Sequence, residues 1–129
     1  MRNINKVVVS GNLTRDPEIR KTQSGFPIMT FGIAVNDSRK NPKTDQWEDY
    51  ANFLDCVMLG ERAEKIAPML SKGMKACIEG KLRWSQWDKD GQKRSKVEIM
   101  VDQLEFMSRE QKPKQPVYED DYTPFDVPF

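Results

Sequence analysis

Histidine is missing from this chain altogether. Its absence removes Ser–His and Cys–His nucleophile pairs and every His-ligated metal centre. Cysteine occurs only twice, at Cys56 and Cys77. Two thiols are too few for a four-thiolate zinc site. Both lie inside apolar runs, which predicts buried or half-buried thiols in a reducing compartment rather than a disulfide. No stretch approaches the roughly 18 apolar residues of a membrane span, and the opening "MRNINKVVVSGN" has neither the apolar core nor the cleavage site of a signal peptide. A cytoplasmic protein away from membranes is expected. The seven glycines never fall into G-x-G-x-x-G or P-loop spacing. The acid pairs Glu48/Asp49 and Asp120/Asp121 read as solvated charge in loop and tail. The chain is therefore expected to have no catalytic residue, no metal and no cofactor.

What is present is charge, arranged in blocks. The net charge of +1 conceals an asymmetry, because residues 117–129 hold Glu119, Asp120, Asp121 and Asp126 and no Lys or Arg. The sixteen acids ahead of them face all 21 basic residues, a surplus of five positive charges. A basic body followed by an acidic tail points to an anionic partner for the body.

Strand-like runs dominate the body. "INKVVVSGNL" sets Val7, Val9 and Leu13 on one face, and "FPIMTFGIAV" does the same for Met29, Phe31, Ile33 and Val35. "NFLDCVML" reads as a third strand. In a fourth, Met74, Ala76, Ile78, Leu82 and Trp84 share one phase, and Lys75, Glu79, Lys81 and Arg83 the other. The fifth, "KVEIMVDQLEFM", changes phase between Val101 and Leu104, which predicts a β-bulge near Asp102 and Gln103. A helix in "ERAEKIAPML" places Ala63, Ile66, Ala67 and Leu70 on one side, and Pro68 requires a kink or a last turn there. "NDSRKNPKTDQWEDYAN" reads as a long turn between strands two and three, and Asp90–Gly91 as the tip of a hairpin between strands four and five. Beyond Met107 four prolines and no apolar period predict a disordered tail. The expected division is a domain at 1–110 and a tail at 111–129. Five strands with one helix between the third and fourth is the chain order of an OB-fold, an all-β, partly open Greek-key barrel.

The aromatic residues carry the functional reading. None of the three tryptophans sits in the middle of an apolar run, and Arg39, Lys40, Lys43, Arg83, Lys89, Lys93, Arg94 and Lys96 lie around them. Single-stranded nucleic acid offers flat bases to stack and phosphates to neutralise, so aromatics interleaved with cations suit it. Trp87, in phase with Lys81 and Arg83, is placed for stacking, as is Phe53, out of phase with Leu54, Cys56 and Met58. Trp84 either stacks or covers the core with Ile78 and Leu82. Trp47 and Tyr50 either stack or pin their loop.

The segments "NKVVVSGNLTRDPEIR", "GIAVNDS", "FLDCVMLGERAE", "LSKGMKACIEGKLR" and the final "DVPF" resemble bacterial and bacteriophage single-stranded DNA-binding proteins over residues 4–107 and the tail tip. The resemblance implies a homotetrameric OB-fold protein that wraps single-stranded DNA without sequence preference, nucleoid-associated in a bacterial host. It implies stacking at Phe53, Leu59 and Trp87 and basic contacts at Arg2, Arg20, Lys72 and Arg83. It also implies that Asp126, Val127, Pro128 and Phe129 form a tip that docks replication, recombination and repair proteins. The tip's acids imitate phosphate while Phe129 and its carboxylate enter an apolar, basic-rimmed pocket. This sequence departs from the family pattern in four places. Arg39 stands where the family has an aromatic, Leu59 replaces another, and Asp55 and Glu61 replace bases. Its linker is also short, as in a phage- or plasmid-borne relative. An OB-fold adaptor that needs only the tip, and an RNA-binding OB module, remain alternatives at the level of sequence.

Overall fold

The computed structural model describes residues 1–107. The tip at Asp126–Phe129 and the expected boundary at 110/111 lie outside the described residues. Six strands form one sheet: β1 (Val7–Leu13), β2 (Glu18–Lys21), β3 (Pro27–Lys40), β4 (Trp47–Leu59), β5 (Lys75–Lys89) and β6 (Gln92–Met107). Their order is β1-β5-β6-β4-β3-β2, and a further β1–β3 pairing at Asn12↔Ala34 and Leu13↔Ile33 closes β1, β5, β6, β4 and β3 on themselves. This is the five-stranded OB barrel expected from the chain order. The short β2 adds to β3 through Arg20↔Ile28 and Ile19↔Met29. It carries a single apolar residue, too little for an alternating pattern to reveal it.

The inward phase of each strand fills the barrel. Met29, Phe31, Ile33, Cys56, Met58, Ile78 and Ile99 are almost wholly buried, and burying a side chain of this size stabilises the fold by about 1.5–3 kcal/mol. No buried side-chain polar atom among the described residues lacks a partner. The helix α1 (Glu61–Ile66) buries Ala63, packs against β3 and β4, and passes into a 3-10 turn at Ala67–Met69. Pro68 falls in that turn, where it breaks no α-helical hydrogen bond. Lys21 joins β2 to α1 through Glu64 at 3.0 Å.

The predicted bulge is present. Glu79 pairs with Gln103 and Gly80 with Val101, so Asp102 is the extra residue. Gly80 is required there, because a β-carbon would collide with the Met100 carbonyl. Beyond the bulge the β5–β6 hairpin continues past the barrel to Asp90 and Gly91. Both have positive φ, 53° and 81°, as a two-residue turn of the hairpin's own twist demands.

The expected long turn over residues 36–52 is corrected. β3 and β4 stay paired through Lys40↔Trp47, which leaves only residues 41–46 as loop. Both faces of this arm are solvated, so no apolar alternation marks it. Cross-strand pairs hold it instead: Arg39 lies opposite Glu48, and its guanidinium stacks 4.6 Å from the centre of the Tyr50 ring. Asn41 closes the end, donating from Nδ2 to Glu48 at 2.9 Å and accepting from the Lys43 amide at 2.8 Å. The direct strand pairing between the two hairpins is where β4 runs parallel to β6, at Cys56↔Ile99 and Val57↔Met100. The expectation of two enclosed thiols holds for Cys56 alone; Cys77 is exposed on β5, whose outward phase it follows.

Candidate nucleic-acid interface

Register decides which side chains share a surface, because paired residues in adjacent strands point the same way. Val57, Met100 and Lys81 are linked by pairing across β4, β6 and β5, so all three lie on the side opposite the core residues Cys56 and Ile99, although Val57 itself is covered. Counting by twos from them brings Trp47, Phe53, Asp55 and Leu59 of β4 onto this outer face. Lys96 and Glu98 of β6, and Arg83 and Trp87 of β5, join them. Phe53 is 73% exposed, Trp47 68% and Trp87 43%. Solvated aromatic rings on a strand surface, with cations between them, present π-faces and positive charge to whatever lies along the sheet.

At the far end of this face, Leu59, Glu61, Arg62, Lys81, Met100, Val101 and Asp102 line an open cleft of about 530 Å³. The Arg62 guanidinium holds the bulge by donating to the Asp102 carbonyl. Arg20 extends the same face, since Arg20 pairs with Ile28 and Ile28 with Leu59.

Other expected contacts fall elsewhere. Trp84 pairs with Val97 and, with Leu82, occupies the opposite side of the β5–β6 arm from Trp87; all three of these apolar residues are exposed. Arg39 likewise shares a side with Glu48 and Tyr50, away from Phe53 and Trp47. Lys72 sits in the turn before β5, where its amide donates to Asp16 Oδ1 at 2.8 Å. Arg2 precedes β1. Neither is on a strand.

Two basic residues escaped the sequence reading. Arg15 follows β1, and its Nη1 lies 2.7 Å from where a β-carbon on Gly32 would stand. Because Gly32 pairs with Asp55, the Arg15 guanidinium covers the outer face beside β4. Only barrel closure brings it there. Lys81 was visible as outward-phased, but its place beside Met100 and the cleft depends on register.

Two of these cations, Arg83 and Lys96, are engaged by acids. Arg83 Nη2 lies 3.2 Å from Glu98 Oε1, Lys96 Nζ lies 3.5 Å from Glu98 Oε2, and Lys96 also reaches Asp55 Oδ2 at 3.6 Å. Beneath them, burial pushes the Cys56 thiol up from 9.0 to about 12, helped by the negative charges of Asp55 and Glu98. The thiol stays neutral and inert. Among the described residues no cluster of three or more acids or cysteines could hold a metal ion, and no helix is long and apolar enough to cross a membrane.

The model of the single-strand binding protein family matches residues 4–107. A single-stranded DNA-binding protein of Borreliella burgdorferi is 43% identical over 110 residues, which span 84% of this chain and 72% of that protein. Among solved structures, a deletion mutant of the single-stranded DNA binding protein from Thermus aquaticus superposes with a TM-score of 0.72 at 30% identity. The match covers 81% of this chain but only 51% of that one, so this chain spans about half its length. An SSB from Plasmodium falciparum, solved in complex with ssDNA, has the same fold at 21% identity, with a TM-score of 0.75 over 84% of this chain and 98% of that one.

Proposed function

The chain belongs to the single-strand binding protein family and binds single-stranded DNA, and we propose that the strand lies along the outer face of β4, β6 and β5. The observation that carries this reading is the co-facial placement of Phe53, Trp47, Trp87 and Leu59 with Arg20, Lys81, Lys96 and Arg83 between and beside them. Phe53 and Trp87 stack on bases. Leu59 packs against one at the cleft, and the cations with Arg15 neutralise phosphates. Stacking of this kind tolerates every base, so binding is indifferent to sequence.

The protein coats DNA and performs no catalysis. It works as a homotetramer in the cytoplasm, on the nucleoid of a bacterial host. Residues 1–110 bind DNA, and the segment at 111–129 recruits replication, recombination and repair proteins through Asp126–Phe129. The resemblance of the tip to the family's docking peptide supports that last assignment.

A tryptophan-fluorescence titration with oligo-dT and oligo-U tests the reading, since Trp47 and Trp87 report directly on the face. Saturable quenching by oligo-dT is expected. Quenching by oligo-U alone would make the ligand RNA, and quenching by neither would leave the protein an adaptor.

A further inference from the structure

Across the middle of the outer face the charges alternate. Asp55 of β4, Lys96 and Glu98 of β6 and Arg83 of β5 form one continuous row of ion pairs, at 3.6, 3.5 and 3.2 Å in that order. Glu98 stands at the junction and engages both cations, one with each carboxylate oxygen. It is also the most enclosed member. Its side chain is 11% exposed, against 49% for Arg83, 41% for Lys96 and 54% for Asp55. The row begins two residues after Phe53 and ends four residues before Trp87, on the same side of the sheet.

Two positive and two negative charges give this row a net charge of zero at the place where a bound strand would pass. We infer that Glu98, assisted by Asp55, is an internal counterion that competes with nucleic-acid phosphate for Arg83 and Lys96 and so limits affinity. The inference rests on the DNA-binding reading of this face. A phosphate approaching either cation meets carboxylate oxygens already within ion-pairing distance. To bind, it displaces a carboxylate or shares the cation with it. The Lys96–Asp55 pair, exposed on both sides, is weak enough for such exchange, while the more enclosed Glu98 gives up its cations less easily. As long as the carboxylates remain, however, the row neutralises less phosphate than its two cations alone would. A binding surface that counts several bases thus behaves as though it had fewer. The consequence is a strand held less tightly and released more readily.

The test uses the full chain, oligo-dT and NaCl between 50 and 200 mM, with Glu98→Gln and Asp55→Asn as variants. Both replacements keep the side chain's shape and remove its charge. Glu98→Gln is expected to bind more tightly than wild type at 50 mM. If it frees one cation, the salt dependence steepens by about 0.7, so that it loses roughly 2.6-fold more of its affinity than wild type across that range. Asp55→Asn should shift in the same direction by less, and the pair together by as much as about 7-fold for two freed cations. Equal or weaker binding by folded Glu98→Gln, with an unchanged slope, would overturn the inference and make Glu98 a residue that positions Arg83. Should Glu98→Gln fail to fold, Asp55→Asn decides alone, because its exposed side chain supports no core. Wild-type protein that binds no oligo-dT would instead overturn the functional reading itself.

Discussion

Trp84 and Trp87 stand three residues apart on β5 and point to opposite sides of the sheet, Trp84 paired with Val97 and Trp87 with Arg94. Only Trp87 shares a surface with Phe53. Phe53→Ala and Trp87→Ala should each weaken oligo-dT binding by about 1–3 kcal/mol, whereas Trp84→Ala should change it by no more than about 0.5 kcal/mol. Equilibrium titrations on variants with unchanged circular dichroism check this. A large loss in Trp84→Ala would mean that the strand wraps the other side of the arm.

Binding to oligo-dT should fall with salt, log K declining by about 0.7 per phosphate neutralised. Arg83→Ala should weaken binding and make that decline shallower by no more than about 0.7, since Glu98 already screens the guanidinium. A salt series on both proteins measures the difference. Affinity independent of salt would leave stacking as the whole driving force.

The two thiols should differ sharply in reactivity. Cys77 is exposed and Cys56 buried, so an aromatic disulfide reagent at neutral pH should modify one thiol per native chain and two after denaturation. The same burial links stability to pH. The folded-state value for Cys56 is raised from 9.0 to about 12, so the unfolded chain loses its proton first as pH rises. The contribution is fully present below about 9 and disappears by about 12. Thermal melts of wild type and Cys56→Ala across that window should converge as pH increases.

Gly80→Ala should destabilise the barrel by about 1–3 kcal/mol, because the new methyl meets the Met100 carbonyl at the bulge. Chemical denaturation gives the value. A neutral result would show that the β5–β6 pairing can relax around Asp102.

Deleting Asp126–Phe129 should leave the melting temperature unchanged, since the barrel core built from the described residues, Leu13 to Val101, is complete without it. DNA affinity should hold or rise slightly at low salt, as competing negative charge is removed. Capture of replication and repair proteins on immobilised single-stranded DNA should be lost. Retention of the same partners would reduce the tip to a solubilising acidic segment.

Features set by local phase could be read from the chain alone. The phase change between Val101 and Leu104 located the bulge, Asp90–Gly91 located the turn, and Pro68 marked the helix end. Phe53 was recognised as outward because it is out of phase with Leu54, Cys56 and Met58, and Trp87 because it shares the phase of Lys81 and Arg83. Features set by register were hidden. That Arg39 turns away from Phe53, that Arg15 covers Gly32 and that Glu98 stands between Arg83 and Lys96 depend on which residue of one strand meets which of another. The arms beyond the barrel were hidden for a different reason. Their strands are solvated on both faces, so no burial pattern was imposed on the sequence that forms them.

The parallel seam between β4 and β6 is confined to Cys56–Ile99 and Val57–Met100, while each hairpin is paired along its whole length. Mechanically this makes a pair of tongs, its jaws joined along one short seam and tied again at the base by β1, which pairs with both β5 and β3. Beyond the seam no backbone pairing ties the strand of Phe53 to the strand of Trp87, and side chains such as the Asp55–Lys96 pair span the gap instead. A ligand lying across that gap is therefore met by side chains rather than by a continuous ladder of strands.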